Sequence, residues 1–82
     1  MFDVFTGWKI NVESTDNDGA YVIVPALQAE ALCRLLAEHF IPYAIEGEVP
    51  SRHHAEAPAA LVVRLGQAAE VAYVQDILEL AP

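Results

Sequence analysis

Two hydrophobic rhythms organise this chain, a period of two in some stretches and a period near 3.6 in others. Trp8-Lys9-Ile10-Asn11-Val12-Glu13 alternates apolar with polar, which predicts a strand with one buried face. Ser14 to Gly19, STDNDG, is a run of turn formers. Ala20 to Val24, AYVIV, is apolar at every position and suits an interior strand. A hairpin through this turn gives a register in which Glu13 faces Ala20 and Ile10 faces Ile23. Trp8, Ile10, Val12, Tyr21 and Ile23 then share one face, and Lys9, Asn11, Val22 and Val24 the other.

Pro25 ends that strand and suits the first turn of a helix, where the missing N–H costs nothing. Ala29, Leu32, Cys33, Leu36 and Phe40 form one apolar stripe with Leu35 on its flank. Glu30, Arg34 and Glu38 fall opposite, at spacings that bracket the arginine with acids. Pro42 stops the helix and disfavours helical geometry at Ile41. Tyr43 to Glu48 alternates again, with Tyr43 and Ile45 expected inward and Glu46 and Glu48 outward. Val49 to Pro58, VPSRHHAEAP, reads as an irregular segment. Ala59 to Leu65 predicts a strand with Leu61, Val63 and Leu65 on one face and Val62 and Arg64 on the other. Gly66 would cap a last helix, Gln67 to Leu80, with Val71, Val74, Ile77 and Leu78 on its apolar side. Glu70, Asp76 and Glu79 lie away from the centre of that side.

The predicted order is β-β-α-β-β-α, an α+β domain spanning residues 1–82. From the second strand onward it matches a split β-α-β unit followed by a helix, the ferredoxin-like layout without its last strand. The N-terminal strand can occupy that missing place. The expectation is therefore a permuted ferredoxin-like two-layer sandwich, an antiparallel sheet with both helices on one face.

The segment from Val24 to Glu48 resembles small bacterial domains described as putative signal-transducing proteins, related in shape to PII-like regulators. A strand, a helix carrying Glu30-Ala31 and Leu35-Leu36, and Ile41-Pro42 entering a strand that ends Glu46-Gly47-Glu48 carry the resemblance. The Val-rich strand Leu61–Leu65 and the short helix after it extend it over residues 24–80. It implies a non-catalytic sensing or docking role and transfers no catalytic residue. Such domains commonly place glycine before the Ile-Pro pair; Phe40 stands there, so this helix is expected to end differently. The extra N-terminal strand is a second departure.

Composition narrows the function. Twelve acids against four scattered bases give a net charge of −8, which leaves no basic footprint for nucleic acid and disfavours anionic membranes. Basic partners should be attracted and acidic ones repelled. No apolar run approaches the roughly 20 residues needed to cross a bilayer. MFDVFTGWK has no basic region typical of a secretory signal, so the expected location is cytoplasmic. Cys33 is the single cysteine and lies in the apolar stripe, so it reads as a small core residue.

Candidate chemistry is sparse. Asp16, Asp18 and Gly19 resemble part of a calcium loop, but Pro25 occupies the position of the required bidentate glutamate. Arg52-His53-His54 is the one loop cluster that could bind a ligand, or a metal together with Glu46, Glu48 or His39. Ser51 lies near His53 without an orienting acid, and neither helix follows a glycine-rich phosphate loop. An acylphosphatase-like site would call for arginine after the first strand of the split unit, and Val24-Pro25-Ala26 offers none. No enzymatic activity and no cofactor is expected.

The remaining candidate is a surface. The uncovered sheet face is expected to show Val22, Val24, Val62 and Ala44 centrally, edged by Lys9, Asn11, Arg64, Glu46 and Glu48. An apolar centre with a charged rim has the anatomy of an interface. Phe2, Val4, Phe5 and Trp8 add hydrophobic surface at the N-terminus, to pack on the monomer, seal a dimer or receive a partner. The reading is a non-enzymatic interaction or regulatory module, expected to be a homodimer. One alternative is an acidic inhibitor or immunity-type protein that blocks a basic active site. Another is a metal or small-ligand sensor using the His53-His54 loop.

Overall fold

The computed structural model describes residues 1–15, 19–49, 59–66 and 69–81. The elements run β1 (Val12–Thr15), β2 (Gly19–Pro25), α1 (Ala26–Glu38), β3 (Ala44–Val49), β4 (Ala60–Gly66) and α2 (Val71–Leu80). The strands form one antiparallel open sheet in the order β1-β2-β4-β3. This is an α+β fold, with the predicted order of elements.

The core draws on one face of the sheet. Val22 and Val24 of β2 and Val63 and Leu65 of β4 are buried with Ala29, Leu32 and Leu36 of α1 and Val74, Ile77 and Leu78 of α2. Cys33 is buried and free. Full burial of a leucine or valine side chain contributes about 1.5–3 kcal/mol, so this short list accounts for much of the driving force. Ile10 and Met1 extend the core toward the N-terminus.

The hairpin register differs from expectation by one residue. Thr15 opposes Gly19, Ser14 opposes Ala20, Glu13 opposes Tyr21 and Val12 opposes Val22. Gly19 sits at φ 79°, a left-handed conformation that lets β2 begin directly opposite Thr15. A one-residue slip exchanges the faces of a strand. Val12 therefore lies beside Val22 on the core side, while Tyr21 and Ile23 lie opposite Arg64 and Val62 on the other side.

Helix α1 starts on Pro25, which makes no side-chain cap. The amide of Ala26 instead donates to the carbonyl of Ala59 at 3.2 Å. The helix carries no acid in its first turn and no base in its last, so burial of its stripe rather than its dipole holds it. Its buried residues are Ala29, Leu32, Cys33 and Leu36, as the stripe predicts. Arg34 pairs with Glu30 at 3.1 Å across one turn.

Phe40 departs from the stripe. It is 92% exposed and has φ 58°. The amide of Ile41 donates to the carbonyl of Leu36 at 2.9 Å and that of Phe40 to Ala37 at 3.1 Å. These bonds make a Schellman ending, with buried Ile41 against Leu36 as its hydrophobic contact. The expectation of a different ending is thus corrected: the helix ends by the left-handed route, with phenylalanine in the position that glycine usually takes.

Helix α2 begins at Val71, later than expected, and Glu70 is its cap residue. Gly66 is not a helix cap; at φ 82° it closes β4. Val74, Ile77 and Leu78 are buried as expected, whereas Val71 is exposed. At the other end of α2, the Met1 ammonium donates to the carbonyls of Leu78 and Ala81. Burial lowers the pKa of this ammonium, with Glu79 acting in the opposite sense. A positive group there complements the helix dipole.

The first nine residues do not extend β1. Phe2 bridges Lys9 in an antiparallel pair, and the Asp3 carboxylate accepts from the amides of Phe5 and Thr6. Gln28 of α1 ties this hairpin down, accepting from the Val4 amide at 3.0 Å and donating to the Phe2 carbonyl at 2.8 Å. Its large side chains point outward nonetheless. Trp8, expected on the buried face, is 60% exposed, and Phe2, Val4 and Phe5 are exposed as well.

Candidate interaction surface

Four strands build the sheet face opposite the core. Tyr21 and Ile23 come from β2, Val62 and Arg64 from β4, Glu13 from β1, and Ala44 and Glu46 from β3. Ile23 pairs with Val62 at the centre, and both are half-buried. The Arg64 guanidinium lies over the Tyr21 ring, 5.5 Å from its centroid, in a cation–π arrangement. Its Nε donates to Glu46, and Nη2 donates to the second Glu46 oxygen at 3.2 Å. This two-point pairing fixes the arginine in one plane. The Arg64 hydrogen bond, together with its charge, holds the Glu46 carboxyl below its ordinary pKa against the opposing effect of burial.

A bulge between Ile45 and Gly47 sets which β3 residues belong to this face. Ala44 opposes Arg64, Glu46 is the extra residue and reaches Arg64, and Gly47 opposes Val62. Gly47 has φ 155°, a backbone region that side chains rarely allow. Beyond the bulge the faces are exchanged, so Glu48 opposes Leu61 on the core side of the sheet.

Only part of the expected surface is assembled. Ala44, Glu46, Val62 and Arg64 stand together as expected. Val22 and Val24 do not belong to it, because the register places them in the core with no exposure. Glu48 leaves it through the bulge. Lys9 and Asn11 lie outside β1 and are drawn to α2: Lys9 pairs with Glu79 at 2.7 Å, and Asn11 accepts from Gln75 at 3.1 Å. The same Gln75 accepts from the Val12 amide at 2.7 Å.

Tyr21 and Ile23 are the residues that sequence reasoning assigned to the wrong side. The spacing of Val12, Val22 and Val63 could have placed them, had the turn length been readable. Tyr43, just before the outermost strand, and Ile45 on it, both expected inward, are 41% and 53% exposed, although Ile45 opposes buried Val63 on the core side.

The ligand loop Arg52-His53-His54 lies outside the described residues. Among the described residues no three histidine, cysteine, aspartate or glutamate side chains gather in a way that could hold a metal ion, and His39 is exposed at the end of α1. No helix of the described residues is long and apolar enough to cross a membrane. Comparison with protein-family models, with curated proteins and with solved structures yields no match.

Proposed function

We propose that this chain is a non-enzymatic, cytoplasmic interaction module that acts through the open sheet face and pairs there with a second copy of itself. The observation that carries this reading is the local charge balance. The whole chain has a net charge of −8, which opposes self-association over most of its surface. On this face Arg64 offsets Glu46, Glu13 stands at the β1 edge, and an apolar pair, Ile23 and Val62, lies between β2 and β4. A nearly neutral apolar patch on an acidic protein is where two copies meet at least electrostatic cost. A two-fold axis through Ile23 and Val62 would bring the same residues of both copies together.

The fold reading supports this. With β1 in the place of a final strand, the order β1-β2-β4-β3 is that expected of a permuted ferredoxin-like sandwich with both helices on the core side. The other sheet face is then the one proposed for contact. Light scattering of the chain and of Val62→Glu tests the reading: a dimer that the substitution dissociates supports it, and a monomer at high micromolar concentration overturns it.

A further inference from the structure

We propose that the outer edge of β3 (Ala44–Val49) accepts an extended lysine- or arginine-rich segment of a partner protein as an added strand, with Phe40 positioned to meet its side chains. The site is separate from the open sheet face and goes beyond the dimer reading, so failure of either leaves the other testable.

The backbone supplies the first argument. β3 is the last strand in the sheet and pairs only with β4 among the described residues. Its outer edge therefore carries main-chain donors and acceptors that an extended peptide can satisfy. Tyr43 and Ile45 stand exposed along this strand and its approach, apolar side chains for a partner strand to cover.

Phe40 supplies the second. It lies four residues before β3, holds φ 58°, and leaves 92% of its surface in water. The helix ending requires the left-handed conformation but gains nothing from this side chain, and glycine would adopt it without strain. A strained residue that adds nothing to the core points to a use outside the fold. An exposed aromatic ring is a good contact for a lysine or arginine side chain.

Charge selects the occupant. Glu48 is exposed within β3, Glu46 on the same strand is already held by Arg64, and the chain as a whole carries a net charge of −8. A second β3 laid against this edge would bring up another chain of net charge −8, and that charge opposes self-pairing. A basic strand meets no such repulsion. The acidity that opposes self-pairing would thus favour that partner.

The probe is a fluorescent peptide of alternating lysine and valine, as long as β3, followed by anisotropy at low salt. The expected result is saturable binding that falls about tenfold when alternate backbone nitrogens are methylated to block strand pairing. Phe40→Gly should also weaken binding about fivefold while raising resistance to urea, which separates a contact from a folding role. A glutamate–valine peptide should not bind. Absence of lysine–valine binding, equal binding of the methylated peptide, or unchanged binding by Phe40→Gly would each overturn the proposal.

Discussion

The amide of Ile41 donates to the carbonyl of Leu36 at 2.9 Å, five residues back, and this bond forces Phe40 between them into left-handed geometry. Leu36 and Ile41 are both buried, so the closure of α1 is anchored at its two ends while the residue in the middle faces water. The left-handed state costs a side-chain-bearing residue about 1–2 kcal/mol, and glycine's greater freedom in the unfolded chain returns roughly 0.4–1 of that difference. Phe40→Gly should therefore stabilise the protein by about 0.5–1 kcal/mol, read as a higher urea midpoint with an unchanged slope. Phe40→Ala, which keeps the left-handed strain, should change the midpoint much less.

Leu36 closes this motif and lies in the core with no exposure. Leu36→Ala should cost about 2–5 kcal/mol, a large part of the total stability of a domain this small. Cys33→Ala, one position along the same stripe, removes less volume and should cost less. Urea unfolding of the two variants side by side checks the order.

The Arg64–Glu46 pair gives a signed pH dependence. Glu46 titrates below its ordinary value of 4.5 in the folded chain because Arg64 donates to it. Its contribution to stability is therefore present above that ordinary value and is lost as pH falls through the lowered folded value. Glu46→Gln should flatten the wild-type decline in stability over this acid range and leave its shape near neutrality unchanged. Urea midpoints measured across the range would show it.

Gln75 links β1 to α2 by accepting from the Val12 amide and donating to Asn11. Gln75→Ala removes the acceptor of a part-buried amide and should cost about 1 kcal/mol. Faster hydrogen exchange at Val12, with unchanged exchange at Val63 on β4, would locate the effect at the sheet's first edge.

The two helices and most of the strands were legible because their apolar spacing is regular. Leu32, Cys33 and Leu36 declare the inner side of α1, and Leu61, Val63 and Leu65 that of β4. β2 was different. Ala20-Tyr21-Val22-Ile23-Val24 has no polar position to mark an outside, so its orientation rested on turn length alone, and one residue of slip exchanged Val22 with Ile23. The bulge at Glu46 was equally hidden, because Ala44-Ile45-Glu46-Gly47-Glu48 alternates as if unbroken. Phe40 fitted the apolar stripe by spacing, yet it stands beyond the helix end, where spacing no longer predicts direction. Four residues of the surface survive these slips, and Tyr21 and Ile23 take the places of Val22 and Val24.

This exchange also decides which substitutions probe the surface. Val22→Glu would bury a carboxylate in the core and unfold the chain, so a loss of binding there would carry no information. Ile23→Glu places the same charge on the open face.

The most direct test of the account is sedimentation equilibrium of the wild-type chain beside the double variant Ile23→Glu, Val62→Glu, with circular dichroism confirming that both are folded. The account predicts a dimer for the wild type and a folded monomer for the variant. A wild type that stays monomeric at high micromolar concentration, or a folded variant that remains dimeric, would contradict it.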